Sequence, residues 1–373
     1  MKILGIETSC DETACSVVED GVKVLSNVIA SQVELHAATG GVVPEVAARE
    51  HILKVVPVIE RALAEAGGEW GDIDAIAVTK GPGLISSLII GTCNASAISY
   101  VMDKPVIPVH HIVGHVYANA LDAGSADGLE FPSLVLTVSG GHNEIILMRG
   151  YHDFVILGET RDDAAGEAFD KVARILDLGY PGGPVISKVA IDGDREAFKL
   201  PRSYLEAGSL DFSFSGLKTA VLNEVKRYVR ENNPDKEFGN YSQIGKLLPD
   251  KFKADLAASF QEAVCDVLSD KLIQAYLNLQ EEGTHAKEIH LAGGVSANSR
   301  LREVMTAKIA KLGAHVSDDA PVIAPLLRFP KSLEYCTDNA AMIAGAAYFV
   351  SDSGKRLEKA PSNIAPTTNF DLF

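Results

Sequence analysis

His111 and His115 stand four residues apart, directly after the apolar stretch Val106 to Val109. On a helix, side chains at i and i+4 stack on one face, so two imidazoles can share one ion. The spacing predicts a strand followed by a helix that opens with the pair. A third ligand must come from far along the chain. Asp338, in Cys336-Thr337-Asp338-Asn339, is the best-placed carboxylate. Two histidines and a carboxylate suit both iron and zinc. The ordinary readings stand beside this one. Histidine pairs at this spacing arise by chance in a chain with 10 histidines. Asp338 precedes an apolar run, Ala340 to Val350, where a carboxylate also suits a helix N-terminus.

Three glycine-rich turns stand where apolar strands end. They are Gly5-Ile6-Glu7-Thr8-Ser9-Cys10-Asp11, Thr137-Val138-Ser139-Gly140-Gly141-His142 and Ala292-Gly293-Gly294-Val295-Ser296-Ala297-Asn298. Glycine allows close backbone approach, and successive N–H groups make an anion-binding concavity. One such turn is only a turn; three at strand ends read as one nucleotide cleft. Asp11 is a candidate for orienting an acceptor or removing a proton, or else a turn residue. Asn298 opens an expected helix over 298–312 and is also a candidate N-cap. Asp170 and Lys171 fall within an expected helix, where a solvated pair is the plain explanation. His110 and His142 flank the site as supporting or structural residues.

The elements that must carry these residues repeat. Strands are expected at 2–7, 14–19 and 23–30, and again at 134–139, 144–148 and 154–158. Each trio leads into a helix, 46–66 (which must tolerate Pro57) and 164–176. Each half later adds a buried strand before glycine, 74–79 and 288–292. Strands alternating with helices predict α/β architecture with mixed, largely parallel sheets. Two such units with a ligand between them make the actin-like ATPase and sugar-kinase plan, two RNase H-like domains around a cleft. The expected division is 1–125 plus 338–373 against 126–337. The polar segment 231–255 reads as an inserted loop, and the chain after Ser351 as a surface extension.

Composition bounds the class. The chain has 373 residues, 47% hydrophobic and 23% charged, as ordinary globular proteins do. Its five cysteines form no CxxC pair, which predicts a reducing, cytoplasmic setting rather than a disulfide framework. The apolar run 84–102 carries six Ser, Thr or Asn residues, which predicts a buried helix rather than a membrane span. Lys and Arg number 34 against 50 Asp and Glu, a net charge of −16. A polyanion would therefore need a local basic patch, such as Lys218, Lys226, Arg227 and Arg230, or a partner's help.

At this level the chain resembles the TsaD family of tRNA threonylcarbamoyladenosine enzymes, once described as glycoproteases. The resemblance runs nearly full length, through the turns above and through Gly40-Gly41-Val42-Val43-Pro44-Glu45 and Lys80-Gly81-Pro82-Gly83-Leu84. It continues in Asp163-Ala164-Ala165-Gly166-Glu167-Ala168-Phe169-Asp170-Lys171, Tyr180-Pro181-Gly182-Gly183-Pro184, and Phe212-Ser213-Phe214-Ser215-Gly216-Leu217-Lys218. It implies one divalent metal ion, Fe(2+) favoured and Zn(2+) the alternative, on His111, His115 and Asp338. The adenylate of a donor, L-threonylcarbamoyl-adenylate, would lie along Thr137, Val138, Ser139, Gly140, Gly141, Asp170, Gly183 and Asn298. The acceptor would be the exocyclic amine of adenosine 37 in tRNAs reading codons that begin with A. The implied partners are a paralogous TsaB-like actin-fold subunit and a TsaE-like P-loop ATPase.

Two positions depart from the family pattern. Val113 stands where bacterial members often have Glu, and Ser187 where the family usually has an acidic residue at the donor's ribose. Segments 231–255 and 319–333 are also long. A zincin-type protease would need His-Glu-x-x-His, and residue 112 is Ile. The alternatives are a carbamoyltransferase or ATPase of the actin-like fold acting on another substrate, and a non-catalytic scaffold.

Overall fold

Strand β1 (Lys2–Glu7) is buried along nearly its whole length, as the middle strand of a sheet covered on both faces must be. It pairs antiparallel with β2 (Glu12–Glu19), which pairs antiparallel with β3 (Lys23–Ser31). On its other side come β4 (Ala75–Gly81) and β5 (Val106–His110), both parallel. A second sheet holds β6 (Ser133–Val138), β7 (Asn143–Gly150), β8 (Asp153–Glu159), β9 (Glu288–Ala292) and β10 (Leu326–Arg328). The orders are β3-β2-β1-β4-β5 and β10-β9-β6-β7-β8. Counted within each unit, both read 3-2-1-4-5. The same winding used twice is the duplicated RNase H-like plan of actin-like folds. The computed structural model describes the chain apart from residues 124–128, 207, 233–243, 315–323, 353, 356–363 and 369–373.

The sheets are evenly mixed rather than largely parallel. In each, the first three strands are joined by turns of a few residues, which reverse the chain and permit only antiparallel pairing. Parallel pairing begins where a helix intervenes.

The helices are α1 (Val33–Ala37), α2 (Pro44–Glu65), α3 (Ile85–Met102), α4 (His111–Tyr117), α5 (Ala165–Ile175), α6 (Gly182–Ala190), α7 (Ser215–Asn232), α8 (Asp250–Glu281), α9 (Ser299–Ala314) and α10 (Ala340–Val350). Leu4, Ile6, Val55, Ile59, Val78 and Ala95 form a core under α2 and α3. Leu136, Phe169, Val221, Phe260 and Leu291 form another under α5 to α9. A third core joins the two sheets, with Ile3 and Ala77 of the first facing Val135, Ile146 and Ala292 of the second, around α4 and α10.

Helix α10 has alanine or glycine at six of its eleven positions and is buried almost throughout. A Cβ at Gly5 would stand 2.4 Å from the Ala340 carbonyl oxygen, and one at Gly114 2.8 Å from Ile343 Cδ1. Bare backbone at both points lets α10 lie against β1 and α4 together. That packing brings its N-terminal approach, Asp338, to the histidine pair.

Several expectations change. Helix α3 is not buried on all sides: Tyr100 is 84% and Val101 73% exposed, with Ile85 and Ile89 also outward. It belongs to an outer layer, packed on β4 and α2 by one face. By length and composition it is the one helix among the described residues that could cross a membrane. The segment 231–255 is not all loop, since α7 runs through Asn232 and α8 starts at Asp250; residues 233–243 lie outside the described residues. Within 319–333, residues 319–323 lie outside the described residues, and Leu326–Arg328 pairs with β9 as an edge strand. The chain after Ser351 returns to the body: Ile364 is buried in the first core and Thr367 N–H donates to the Lys80 carbonyl.

Candidate active site and metal centre

The pair stands where the spacing predicts, at the start of α4 directly after β5. His110 ends the strand and caps the helix, its Nδ1 accepting from Ile112 N–H at 3.2 Å. His110 thus has a structural role at the start of the helix. His111 and His115 face each other edge-on with ring centroids 4.8 Å apart. Asp338 Oδ1 stands 3.5 Å from His111 Nε2 and 3.2 Å from His115 Nε2. One ligand atom from each of the three lies within 4.8 Å of the others.

Asp338 does not cap α10. Asn339 does, accepting from Met342 N–H at 3.0 Å, which leaves the aspartate turned to the histidines. His115 is fully buried and neither ring nitrogen makes a hydrogen bond. Its contact with Asp338 is close enough for an ion pair but not aligned as a hydrogen bond. Buried nitrogens without partners are costly. A cation held by the three residues would satisfy the Nε2 that faces Asp338, so the donor set fits a divalent ion of the iron or zinc kind.

Glu7 completes the arrangement, and sequence reasoning missed it. It is fully buried, accepts from Ser9 N–H and Thr79 Oγ1, both at 2.5 Å, and lies 3.2 Å from His111 Nδ1. With Nδ1–H donating to Glu7, the Nε2 lone pair of His111 points toward Asp338. The available signal was a glutamate directly after the apolar run Ile3 to Ile6. Burial works against the charge on Glu7, but His111 and the hydrogen bonds hold its carboxyl below the usual range.

Charges within the cluster reinforce one another. Burial opposes protonation of His111, yet Asp338 and Glu7 push its pKa up to about 9. Burial likewise opposes ionisation of Asp338, while His111 and His115 hold its carboxyl at about 2. Between these values His111 carries a proton that an incoming ion must displace. Metal affinity should therefore rise by up to about tenfold per pH unit from neutrality toward pH 9, then level off. Calorimetry at pH 7 in buffers of different ionisation enthalpy should show about one proton released per ion bound. No released proton would mean the ion binds elsewhere.

The second glycine turn borders this cluster. Ser139 N–H donates to the His142 carbonyl at 2.8 Å, and His142 N–H donates to Ser139 Oγ at 3.2 Å. Burial, then the charges of His111 and His115, lower the His142 pKa, so its ring lies within electrostatic reach of the pair. Thr137 is buried with its Oγ1 unpartnered, while a side chain at Gly140 or Gly141 would meet only open space. The third turn packs beneath the second. Gly293 has φ +82, and a Cβ there would stand 2.5 Å from the Val138 carbonyl oxygen.

Asp11 and Asp170, two of the remaining candidates, lie within electrostatic reach of each other. Burial pushes the half-buried Asp11 carboxyl up, and the charge of Asp338 adds to that. Asp170 is not paired with Lys171. Its Oδ1 accepts from Gly182 N–H at 2.7 Å, while Lys171 pairs with Asp163 and Glu167. Gly183, next along, has open space where a Cβ would go. Tyr180, which sequence reasoning did not single out, joins them: burial, then Asp11 and Asp170, push its hydroxyl pKa up. The Asn298 side chain also holds the local fold together. It caps the start of α9 by accepting from Leu301 N–H, and its Nδ2 donates to Ser187 Oγ and Gln261 Oε1, both at 2.9 Å.

A family model described as "TsaD: tRNA N6-adenosine threonylcarbamoyltransferase" matches residues 23–345. The chain belongs to the TsaD family. The tRNA N6-adenosine threonylcarbamoyltransferase of Thermomicrobium roseum is 49% identical over 367 residues, covering 96% of this chain and 94% of that protein. Its counterpart in Desulfitobacterium hafniense is 47% identical over 349 residues, covering 94% and 92%. Among solved structures, the activator of the 2-hydroxyisocaproyl-CoA dehydratase from Clostridium difficile with bound ADPNP is 13% identical. It covers 97% of this chain and 99% of that one, with a TM-score of 0.49.

The two departures from the TsaD pattern have local explanations. Val113 is buried in the core shared by the two sheets, where an apolar side chain packs without an unpaired charge. Ser187 donates to Gln261 Oε1 at 2.9 Å and accepts from Asn298, closing a neutral cluster.

Proposed function

We propose that this chain transfers a threonylcarbamoyl group from L-threonylcarbamoyl-adenylate to the exocyclic amine of adenosine 37 in tRNAs that read codons beginning with A, releasing AMP. What supports the reading, beside family membership, is the closeness of three features. The His111, His115 and Asp338 cluster adjoins the Thr137–Gly141 turn and lies within electrostatic reach of Asp11.

His111, His115 and Asp338 hold one divalent ion, for which we favour Fe(2+) over Zn(2+). When bound, it supplies Lewis acidity that makes a carbamoyl carbonyl more electrophilic. Thr137, Val138, Ser139, Gly140 and Gly141, with Asp170, Gly183 and Asn298, receive the adenylate through backbone N–H groups and side chains. The acceptor nitrogen forms a bond to the carbamoyl carbon. The bond from that carbon to the phosphate oxygen breaks, and AMP departs with the electron pair. Asp11 takes the proton lost by the amine; a carboxylate with a raised pKa is the better base near neutral pH. An exocyclic amine is a weak nucleophile, so holding both reactants in line supplies much of the acceleration.

We place the division of the chain at 1–125 plus 338–373 and 126–337, and the protein in the cytoplasm. At a net charge of −16 the chain is a poor lone partner for tRNA. A TsaB-like actin-fold subunit and a TsaE-like ATPase supply dimerisation and turnover. What supports the first is the apolar outer side of the packed helices α2 and α3, where Ile52, Leu53, Val56, Ile85 and Ile89 are exposed.

The purified chain, mixed with donor, unmodified tRNA and helper subunits, should yield the modified nucleoside by mass spectrometry. No product under conditions where a homologue succeeds would refute the transferase reading. Gly183→Val tests the adenylate seat. A Cβ at that position meets nothing within 4 Å, so the fold should be retained while adenylate affinity falls at least about tenfold. Unaltered affinity by calorimetry would remove Gly183 from the seat.

A further inference from the structure

Arg302, near the start of α9, binds two segments that are far apart in the sequence. Its Nε donates to the Ser296 carbonyl at 2.6 Å, and its Nη2 to Cys336 Sγ at 3.3 Å. The guanidinium carbon lies 4.2 Å from the centroid of the Phe329 ring, which holds the plane of the fork in place. Ser296 belongs to the short turn Gly294–Ala297, continuous with Gly293, which packs on Val138 of the second glycine turn. Cys336 is fully buried and stands two residues before Asp338, on the strand of chain that leads into α10. One rigid side chain therefore links the floor of the glycine turns to the segment that seats the metal ligand.

We propose that Arg302 is a positioning residue that couples nucleotide occupancy of the glycine turns to the seating of Asp338 in the metal centre. This rests on the reading of the cleft given above. A nucleotide that draws in the Gly293–Ala297 turn moves Ser296, and the fork carries that shift to Cys336 and the ligand two residues on. Coupling of this kind is reciprocal: the ion tightens the nucleotide by the same factor as the nucleotide tightens the ion.

The test measures AMP affinity by calorimetry on the full chain with and without Co(2+), whose visible absorption also reports the ligand geometry. In the unaltered protein, Co(2+) should tighten AMP about tenfold. In Arg302→Met, which keeps the apolar stem, that factor should fall to about one while AMP affinity without Co(2+) stays within about twofold. Cys336→Ala removes one arm alone, should give the same loss of coupling, and carries the test if Arg302→Met fails to fold. A clamp that is only structural would weaken both ligands and leave their ratio intact. A factor that survives in both variants, or that equals one in the unaltered protein, overturns the coupling and leaves the cleft reading standing. An unaltered protein that binds no AMP overturns the cleft reading, and the coupling with it.

Discussion

His115→Ala is expected to empty the metal centre and lower the transfer rate by about three orders of magnitude. The imidazole is fully buried, and its Nε2 is 3.2 Å from Asp338 Oδ1. Removing it leaves His111 and Asp338, a two-ligand set too small to close a coordination shell against water. Metal content of the purified variant should fall below about a tenth of an equivalent, with the far-ultraviolet dichroism of the fold retained. Full metal content would place the ion elsewhere, and full activity without metal would remove the ion from the chemistry. Asp338→Asn should weaken the ion by a related route, because the amide keeps the shape and loses the charge.

Asp11→Asn should lower kcat by about two to four orders of magnitude, the range typical of a lost general base. Asparagine preserves the size of the side chain and keeps a hydrogen-bonding oxygen, so donor affinity should change by less than about threefold. The pH profile separates this role from a structural one. Burial and the neighbouring Asp338 push the Asp11 carboxyl up. A base acts only when deprotonated, so the rate of the unaltered enzyme should rise as pH climbs through that raised value. The variant should lose this acid limb. If the limb persists at reduced rate, Asp11 orients the acceptor without taking its proton; an unchanged kcat would exclude it from the reaction.

Much of the architecture was legible because it is encoded locally. Alternation and apolar runs mark β1, β6 and β9 within a residue or so of their observed bounds. The i,i+4 pair needs only a helix to align it, and α4 supplies one. Strand ends followed by glycine point to backbone cradles wherever they occur. These features depend on neighbours within a few residues, and periodicity reports such neighbours directly.

Other features were hidden because they depend on which surfaces meet. The outward face of α3 carries isoleucine, tyrosine and valine, which read as core until the neighbouring layers are known. Helix α8 is buried on several sides, so no single apolar stripe announces it. The cap of α10 could have belonged to Asp338 or Asn339 by type alone; the backbone turn gives it to Asn339. Glu7 was visible only as an odd residue in a strand, because its partners His111 and Thr79 arrive from β4 and the start of α4.

By itself, then, the sequence determined the strand trios, the paired imidazoles on one helix face and the glycine turns at strand ends. Tertiary structure alone decided that Asp338 meets the pair, that Glu7 orients His111, and that Asp11 comes within reach of Asp338. The reason is packing. An alanine-rich helix can approach β1 and α4 only where Gly5 and Gly114 leave bare backbone, and that approach sets the last ligand in place.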